Sequence, residues 1–205
     1  MLNRRLFFAV LLVLVFSVPS LAAAMCACCV ERGFYSLENA RPDAFYVSIL
    51  ESMKFAGPAE FYMTVAGFDG TKGLDVLAKD DEAGKSGELD VVESFAGKTW
   101  TFTVTTGSGR TGTLALPMPT TLRRFKVDID GVDTGLGVSL YKEFSARGRV
   151  RSATGIFGSA SRNTDYHLVF QGRGNGCDDV SDFSRWRLEL DGPKAEYAFF
   201  GKLNK

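Results

Sequence analysis

The chain contains one histidine in 205 residues, and this scarcity limits its chemistry more than any motif present. Metal sites that need two or three histidines from one chain are excluded. A Ser-His-Asp triad would have to use His167, and no Gly-x-Ser-x-Gly elbow is present to supply its nucleophile. Alternation places His167 opposite to Tyr166 and Leu168, on the outer face of a strand. We expect an isolated, neutral or exposed side chain.

Long hydrophobic runs are missing outside the N-terminus, and none approaches the roughly 20 residues that a membrane-spanning helix needs. The N-terminus itself has two arginines, then an apolar run, then small residues (NRRLFFAVLLVLVFSVPSLAAA). This pattern predicts a secretory signal peptide over residues 1–24 and a single exported β domain over residues 25–205. We expect a periplasmic or extracellular protein with no transmembrane anchor after cleavage. An uncleaved N-terminal anchor is the alternative.

A lipid anchor on a cysteine just after the signal is disfavoured by the residues that surround it. Such a site needs small residues before the cysteine. Met25 precedes Cys26, and Cys28 follows Ala27 but has the Met25-Cys26 pair before it. The sequence therefore favours an unlipidated mature protein.

An excess of positive charge is also missing. Because two arginines leave with the predicted signal, the mature chain carries 22 basic and 24 acidic residues, a net charge of about −2. Nucleic acids are bound through a basic face, so we expect no nucleic-acid partner. About 180 residues support one domain with a sizeable core. No motif implies a cofactor, and the sequence identifies neither the ligand or protein partner nor the oligomeric state.

The four cysteines are Cys26, Cys28, Cys29 and Cys177. In an oxidising compartment they predict a structural disulfide between Cys177 and one of the other three, because adjacent Cys28 and Cys29 pair poorly with each other. Closing a loop of about 150 residues would stabilise the fold by at most about 5 kcal/mol. The alternative is a thiolate metal-binding protein, with these cysteines holding copper(I) or zinc. Their spacing is not Cys-x-x-Cys.

Convincing helical periodicity is absent after the signal, whereas apolar residues alternate in many short segments. The clearest is Trp100, Phe102 and Val104, which alternate with threonines. Further strands are predicted around residues 45–49, 61–65, 74–77, 89–95, 111–116, 125–129, 138–144, 166–170, 186–190 and 196–200. Gly192-Pro193 predicts a tight hairpin between the last two. The fold class is therefore all-β, a single-domain antiparallel sandwich or barrel of about ten strands.

A glycine-rich stretch, Gly172–Gly176, follows one of these strands and predicts a turn. Its Arg173 lies between glycines and could grip a carboxylate or phosphate with both guanidinium nitrogens. With Asn175, it is a candidate ligand-binding residue. The stretch lacks the Gly-Lys-Ser/Thr ending of a phosphate-binding loop.

Asp178, Asp179 and Asp182 come directly after Cys177 and are the other candidate ligand-binding residues. Two carboxylates at the right separation would serve glycoside hydrolysis, and several oxygens would hold calcium. Aspartate also caps helices, so a short helix after Cys177 is the competing interpretation. We expect the three carboxylates to diverge from one another.

Two further motifs resemble binding sites by their letters, but their context predicts ordinary strand ends and turns. Gly107–Gly112 matches G-x-G-x-x-G by letters but lies between strands, without the helix that a dinucleotide site needs. Asp128–Asp133 lacks the ligand spacing of a calcium-binding loop. No catalytic residue stands out. The sequence favours a non-catalytic binding or envelope-associated role, with a hydrolase using the Arg173–Asp182 loop as the alternative.

Overall fold

The computed structural model describes residues 30, 34–68, 71–74, 88–129, 140–160 and 162–204, and structural statements below refer to these residues. The predicted signal peptide, the cysteines at 26, 28 and 29, and residues 130–133 of the Asp128–Asp133 motif lie outside them. So does most of the strand predicted at 74–77.

Eleven strands among the described residues form one sheet in the order β1-β6-β7-β9-β10-β11-β2-β3-β4-β5-β8, with every neighbouring pair antiparallel. The strands are β1 Tyr35–Ala40, β2 Phe55–Met63, β3 Glu88–Ala96, β4 Thr99–Thr105, β5 Thr111–Pro117, β6 Leu122–Asp128, β7 Leu140–Arg149, β8 Ser152–Gly155, β9 Asp165–Arg173, β10 Phe183–Asp191 and β11 Glu196–Leu203. The helices are α1 Ala44–Ser52, α2 Val65–Phe68 and a 3₁₀ turn at Val180–Asp182. The all-β prediction is confirmed, as is the short helix after Cys177. The sheet ends at β1 and β8 and is not closed into a barrel.

The sheet curls so that its two halves enclose a single aromatic core. Trp100 of β4 lies 6.4 Å from Phe170 of β9 between ring centroids, and Phe102 lies 6.0 Å from Trp186 of β10. The Tyr166 hydroxyl of β9 also donates a hydrogen bond to the carbonyl of Pro117 in β5. Strands that are distant in the sheet order therefore pack face to face, as in a sandwich.

Helix α1 corrects the strand predicted from Phe45, Val47 and Ile49. Asp43 caps the helix by accepting a hydrogen bond from the Tyr46 backbone N–H at 3.1 Å. The side chains turned toward the core are Tyr46, Ile49, Leu50 and Met53, which follow the i, i+3, i+4, i+7 spacing of one helical face. The period-2 pattern is coincidental. The helix has only nine residues, which is too short for a clear 3.6-residue repeat of apolar residues in the sequence.

The hairpin between β10 and β11 is confirmed, but its connection is longer than predicted. Four residues, Gly192–Ala195, separate the strands, and the Gly192 N–H donates to the Ala195 carbonyl at 2.7 Å. Within the described residues, no helix has both the length and the apolar character needed to cross a membrane.

Candidate functional site on the outer face of the sheet

The glycine loop, residues Gly172–Asp182, closes around the Asp182 carboxylate. Lys142 of β7 reaches it with a side chain that is only 2% exposed, and its Nζ donates both to Asp182 Oδ2 and to the Gly176 carbonyl. The Gly176 backbone N–H donates to the same carboxylate oxygen at 3.0 Å. Asp182 is therefore held by a buried ion pair and a backbone hydrogen bond.

The closeness of this packing explains the glycines. A Cβ at Gly174 would lie 1.7 Å from Asp182 Oδ1, and one at Gly176 would lie 2.5 Å from the Asp179 Cβ. At Gly172 a Cβ would lie 1.9 Å from the Asp182 carbonyl oxygen. Glycine is required at all three positions because the interior of the loop has no room for a side chain, and not because a ligand must approach the backbone.

Asp178 belongs to a second internal network, centred on Arg124 of β6. Arg124 Nη2 donates to Asp178 Oδ1 at 2.6 Å, and Nη1 donates to Glu38 Oε2 at 3.0 Å and to the Tyr46 hydroxyl at 2.6 Å. The guanidinium also lies over the Tyr46 ring, 5.1 Å from its centroid. This arginine joins β1, α1, β6 and the glycine loop.

The remaining predicted residues of the loop have separate positions. Asp179 accepts a hydrogen bond from the Ser181 backbone N–H at 2.9 Å, which caps the 3₁₀ turn and lowers the pKa of the Asp179 carboxyl. Arg173 and Asn175 are exposed, and each has a contact with another group. The three carboxylates thus have different partners, and none lines the two grooves described below. Ligand binding by these residues stays a prediction.

Cys177 is exposed and has a contact with another group. The three cysteines predicted as its disulfide partners lie outside the described residues, so the disulfide and the choice among them stay predictions. Across the part of the chain that the structure describes, no group of three or more His, Cys, Asp or Glu residues is arranged to hold a metal ion.

Polar residues gather instead on the outer face of the sheet, which we define as the side that carries His167 and Gln171 of β9 and Arg185 and Glu189 of β10. The opposite side of both strands supplies the core. In each strand the polar residues occupy alternate positions, as expected for a sheet with one side turned to water.

A groove of about 790 Å³ crosses the outer face over β9, β10, β11 and β2, and we call it the large groove. Its lining includes Tyr62, Gln171, Arg185, Ala198, Phe200 and Lys202. Ala198 has a small side chain, which leaves room between the larger residues of the outer face. A Cβ at Gly201 would lie 2.4 Å from the Trp186 Nε1, so the glycine lets the indole ring pack closely beneath β11.

One end of the large groove is basic. Arg185 of β10 and Lys202 of β11 are directly opposite each other in the ladder, and both are exposed. Neither forms an ion pair within the described residues. Like charges directly opposite each other on neighbouring strands are destabilising. An anion bound between the two side chains would remove this repulsion.

The other end of the large groove is aromatic. The rings of Tyr62 and Phe200 meet edge to face with centroids 5.2 Å apart, and Tyr62 is 54% exposed. The Tyr62 hydroxyl donates to Glu60 Oε2 at 2.7 Å, and this hydrogen bond raises the pKa of Tyr62. An exposed aromatic pair of this kind offers an apolar contact surface.

The carboxylates that line the large groove have partners of their own. Glu60 receives the Tyr62 hydroxyl, and Glu196 pairs with Lys72 at 2.6 Å. The charge of Asp191 acts on the same lysine and, after Glu196, raises the pKa of Lys72. Glu189, which also lines the groove, pairs with Arg187 at 3.4 Å. Ion pairs with Lys72 and Arg187 therefore offset part of the acidic charge of the groove.

A second groove of about 310 Å³, the small groove, lies beside the first over β1, β6, β7 and β9. Its lining combines Leu37, Phe125, Arg123, Ser145, Arg147 and His167. Apolar and basic side chains, together with the carboxylate of Glu143, therefore flank a serine and the histidine. Tyr35 extends the apolar wall, with its ring centroid 5.8 Å from that of Phe125.

His167 is not isolated, contrary to expectation. Its Nδ1 lies 3.1 Å from Glu189 Oε2, and its Nε2 lies 3.2 Å from Ser145 Oγ. Its side chain is 17% exposed on the outer face. Burial, followed by the charge of Arg147, lowers the pKa of His167 despite the opposing effect of Glu189, which favours the neutral imidazole at pH 7.

Sequence reasoning missed both grooves because each includes pairs of strands that are far apart in the chain, β2 with β11 in the large groove and β7 with β9 in the small groove. The outward polar positions of β7, β9 and β10 were visible as alternation. What brings Ser145 to His167 is strand order and register, which alternation does not give. Comparisons with protein-family models, with curated proteins and with solved structures each found no match. The function must therefore be argued from geometry.

Proposed function

We propose that the protein is a binding domain that takes up a small anionic amphiphile in the large groove, with export directed by residues 1–24. The observation that carries this proposal is the like-charged pair Arg185 and Lys202 at one end of a groove whose other end is aromatic. A carboxylate or phosphate head would relieve the repulsion between the two cations. Its apolar part would cover Tyr62 and Phe200.

The spacing along β11 sets the size of the ligand. Ala198 precedes Lys202 by four residues on β11 and lies opposite Tyr62 in the ladder, so Tyr62 and the basic pair are about 13 Å apart at the usual rise of an extended strand, with Phe200 between them. This length fits a medium-chain fatty acid or another amphiphile of similar reach. The groove volume of about 790 Å³ lies in the range of small-molecule sites.

Calorimetric titration of the full exported chain with decanoate tests the proposal. We expect the double variant Arg185→Glu/Lys202→Glu to bind decanoate at least about tenfold more weakly, the equivalent of roughly one hydrogen bond to a charged group. Decyltrimethylammonium, which has the same tail and the opposite charge, should show the reverse preference.

The matched control is Arg162→Glu/Lys194→Glu, which makes the same change in net charge at two exposed residues that do not line the groove. Its affinity for decanoate should stay within about twofold of the wild type, because surface charges beyond a Debye length are screened. Equal losses in the two double variants, or no binding of decanoate by the wild type, would contradict the proposal.

A further inference from the structure

Three side chains on the outer face form a continuous hydrogen-bonded row, Ser145, His167 and Glu189. A carboxylate only accepts hydrogen bonds, so Nδ1 of His167 must carry the proton that it shares with Glu189. The neutral ring then has its lone pair on Nε2, which faces the Ser145 hydroxyl. This tautomer is the one that a base needs to accept a proton from serine.

The row is built on three adjacent strands in the interior of the sheet order. His167 of β9 lies directly between Arg147 of β7 and Glu189 of β10 in the ladder. Ser145 is two residues from Arg147 on the same strand and the same face. Side chains on paired strands are held more firmly than side chains on loops, which favours a preorganised arrangement.

Two arginines and one glutamate flank the serine. The glutamate is Glu143, two residues before Ser145 on β7, and it accepts a hydrogen bond from the Tyr141 hydroxyl. Arg123 of β6 lies opposite Ser145 in the ladder, and Arg147 lies two residues further along β7. Both line the small groove, and neither forms an ion pair within the described residues. Because Ser145 stands within ladders on both sides, its backbone N–H is committed to the sheet. The guanidinium groups are the donors available to a negative oxygen.

We propose that Ser145 is a nucleophile that His167 activates, and that the small groove hydrolyses small esters. Glu189 is a positioning residue that holds the imidazole ring in its productive tautomer. Leu37 and Phe125 would contact the apolar part of the ester, and Arg123 or Arg147 would stabilise the oxyanion.

The reaction proceeds in two halves. Ser145 Oγ forms a bond to the ester carbonyl carbon while its proton passes to His167 Nε2, and the carbonyl π electrons move onto oxygen. The intermediate collapses, the bond to the alcohol oxygen breaks, and that oxygen takes the proton from Nε2. Water then attacks the acyl-serine by the same route and releases the carboxylic acid and the free Ser145 hydroxyl.

The test is covalent labelling of the folded full chain with a fluorophosphonate, followed by intact mass and peptide mapping. We expect one adduct per chain, located at Ser145, and none in Ser145→Ala. His167→Ala should slow labelling by at least about 100-fold, the range of general-base catalysis. Glu189→Gln should slow it by a smaller factor, because glutamine keeps a hydrogen bond to the ring but has no charge.

Ser94→Ala provides the control, since Ser94 is an exposed serine on a strand, whereas Ser145 is only 9% exposed at the base of the small groove. Its labelling should equal that of the wild type. The Arg162→Glu/Lys194→Glu variant, whose changed residues line neither groove, should also be labelled normally. Circular dichroism would confirm that each variant is folded. A folded wild type that is not labelled at Ser145, or that is labelled equally fast in His167→Ala, would overturn the proposal.

Discussion

The glycine loop and the outer face of the sheet both present charged side chains, but they use those charges differently. In the loop, Asp182 is neutralised by Lys142 and Asp178 by Arg124, within the fold itself. On the outer face, Arg185 and Lys202 lie opposite each other in the ladder, and neither forms an ion pair within the part of the chain that the structure describes. A charge that the fold has already paired stabilises the structure, whereas one left unpaired is available to a ligand. The sequence drew attention to the first region, and the structure points to the second.

Breaking the internal pairing of the loop should have the largest effect on stability. Lys142→Met keeps the length of the side chain but leaves the Asp182 carboxylate without its cation. Removing one partner of a buried pair costs about 3 to 5 kcal/mol. Urea denaturation should show this loss in the free energy of unfolding, whereas Lys194→Met, at an exposed turn, should change it by less than about 0.5 kcal/mol. Equal stabilities would show that the pair is not structural.

A smaller loss should follow from filling the space inside the loop. Gly174→Ala places a methyl group 1.7 Å from Asp182 Oδ1, and the hydrogen bonds that Oδ2 accepts from Lys142 and Gly176 keep this carboxylate from moving aside. Overpacking of this kind costs about 1 to 3 kcal/mol. At Gly107 a Cβ meets no atom within 4 Å, so Gly107→Ala is the matched substitution and should be close to neutral. Similar thermal midpoints for the two variants would contradict the account.

Much of the fold followed from alternation, and the exceptions are instructive. The buried residues of β4 were correctly assigned because threonines alternate with aromatic and apolar residues over the whole strand. Helix α1 was missed because its apolar face covers few turns and overlaps a period-2 pattern. The curl of the sheet was not predictable, since it depends on contacts such as Trp100 with Phe170 between distant strands.

The candidate site could be predicted only in part. The alternation of side chains along the strand correctly predicted the outward position of His167, but it did not predict which residues contact it. Ser145 precedes it by 22 residues, and Glu189 follows it by 22 residues. Neither separation in sequence predicts a contact with His167 unless the strand order and register are known. The loop residues attracted attention because they are consecutive, which is the one kind of cluster that a sequence displays directly.

A third kind of charge, Glu93, sharpens the comparison because it lies on the inward side of β3. It shares that side with Leu89, Val91 and Phe95, which pack on the core. Burial raises the pKa of Glu93 from its usual 4.5 to about 7, and Lys54 only partly offsets this. The carboxyl group of Glu93 is therefore partly buried, and the charge of Lys54 compensates only part of the cost of burying it.

The consequence is a pH dependence of stability. Between about pH 4.5 and pH 7 the unfolded chain releases this proton while the folded protein retains it, so folding becomes less favourable as pH rises. Glu93→Gln replaces the titrating carboxyl group with an amide that does not titrate. Its free energy of unfolding, measured by urea titration, should therefore exceed that of the wild type more at pH 8 than at pH 4. Parallel pH profiles would contradict the assignment.

The smallest effect on stability should come from the outer face, and it should have the opposite sign. Lys202→Glu replaces the repulsion from Arg185 with attraction across the ladder, which should stabilise the fold by about 0.2 to 1 kcal/mol. The same change should weaken decanoate binding. A variant that gains stability while it loses affinity would be the signature of a charge kept for a ligand. If Lys202→Glu destabilises the protein, the lysine has a structural role.

The most direct test of this contrast is an amide NMR titration of the isotopically labelled protein with decanoate. The account predicts that the largest chemical-shift changes occur on the large groove, at the amides of Tyr62, Ala198, Gly201 and Lys202. Amides of the glycine loop, from Gly174 to Asp182, should change little. Shifts that concentrate in the glycine loop and leave β11 unchanged would show that the functional site lies there instead.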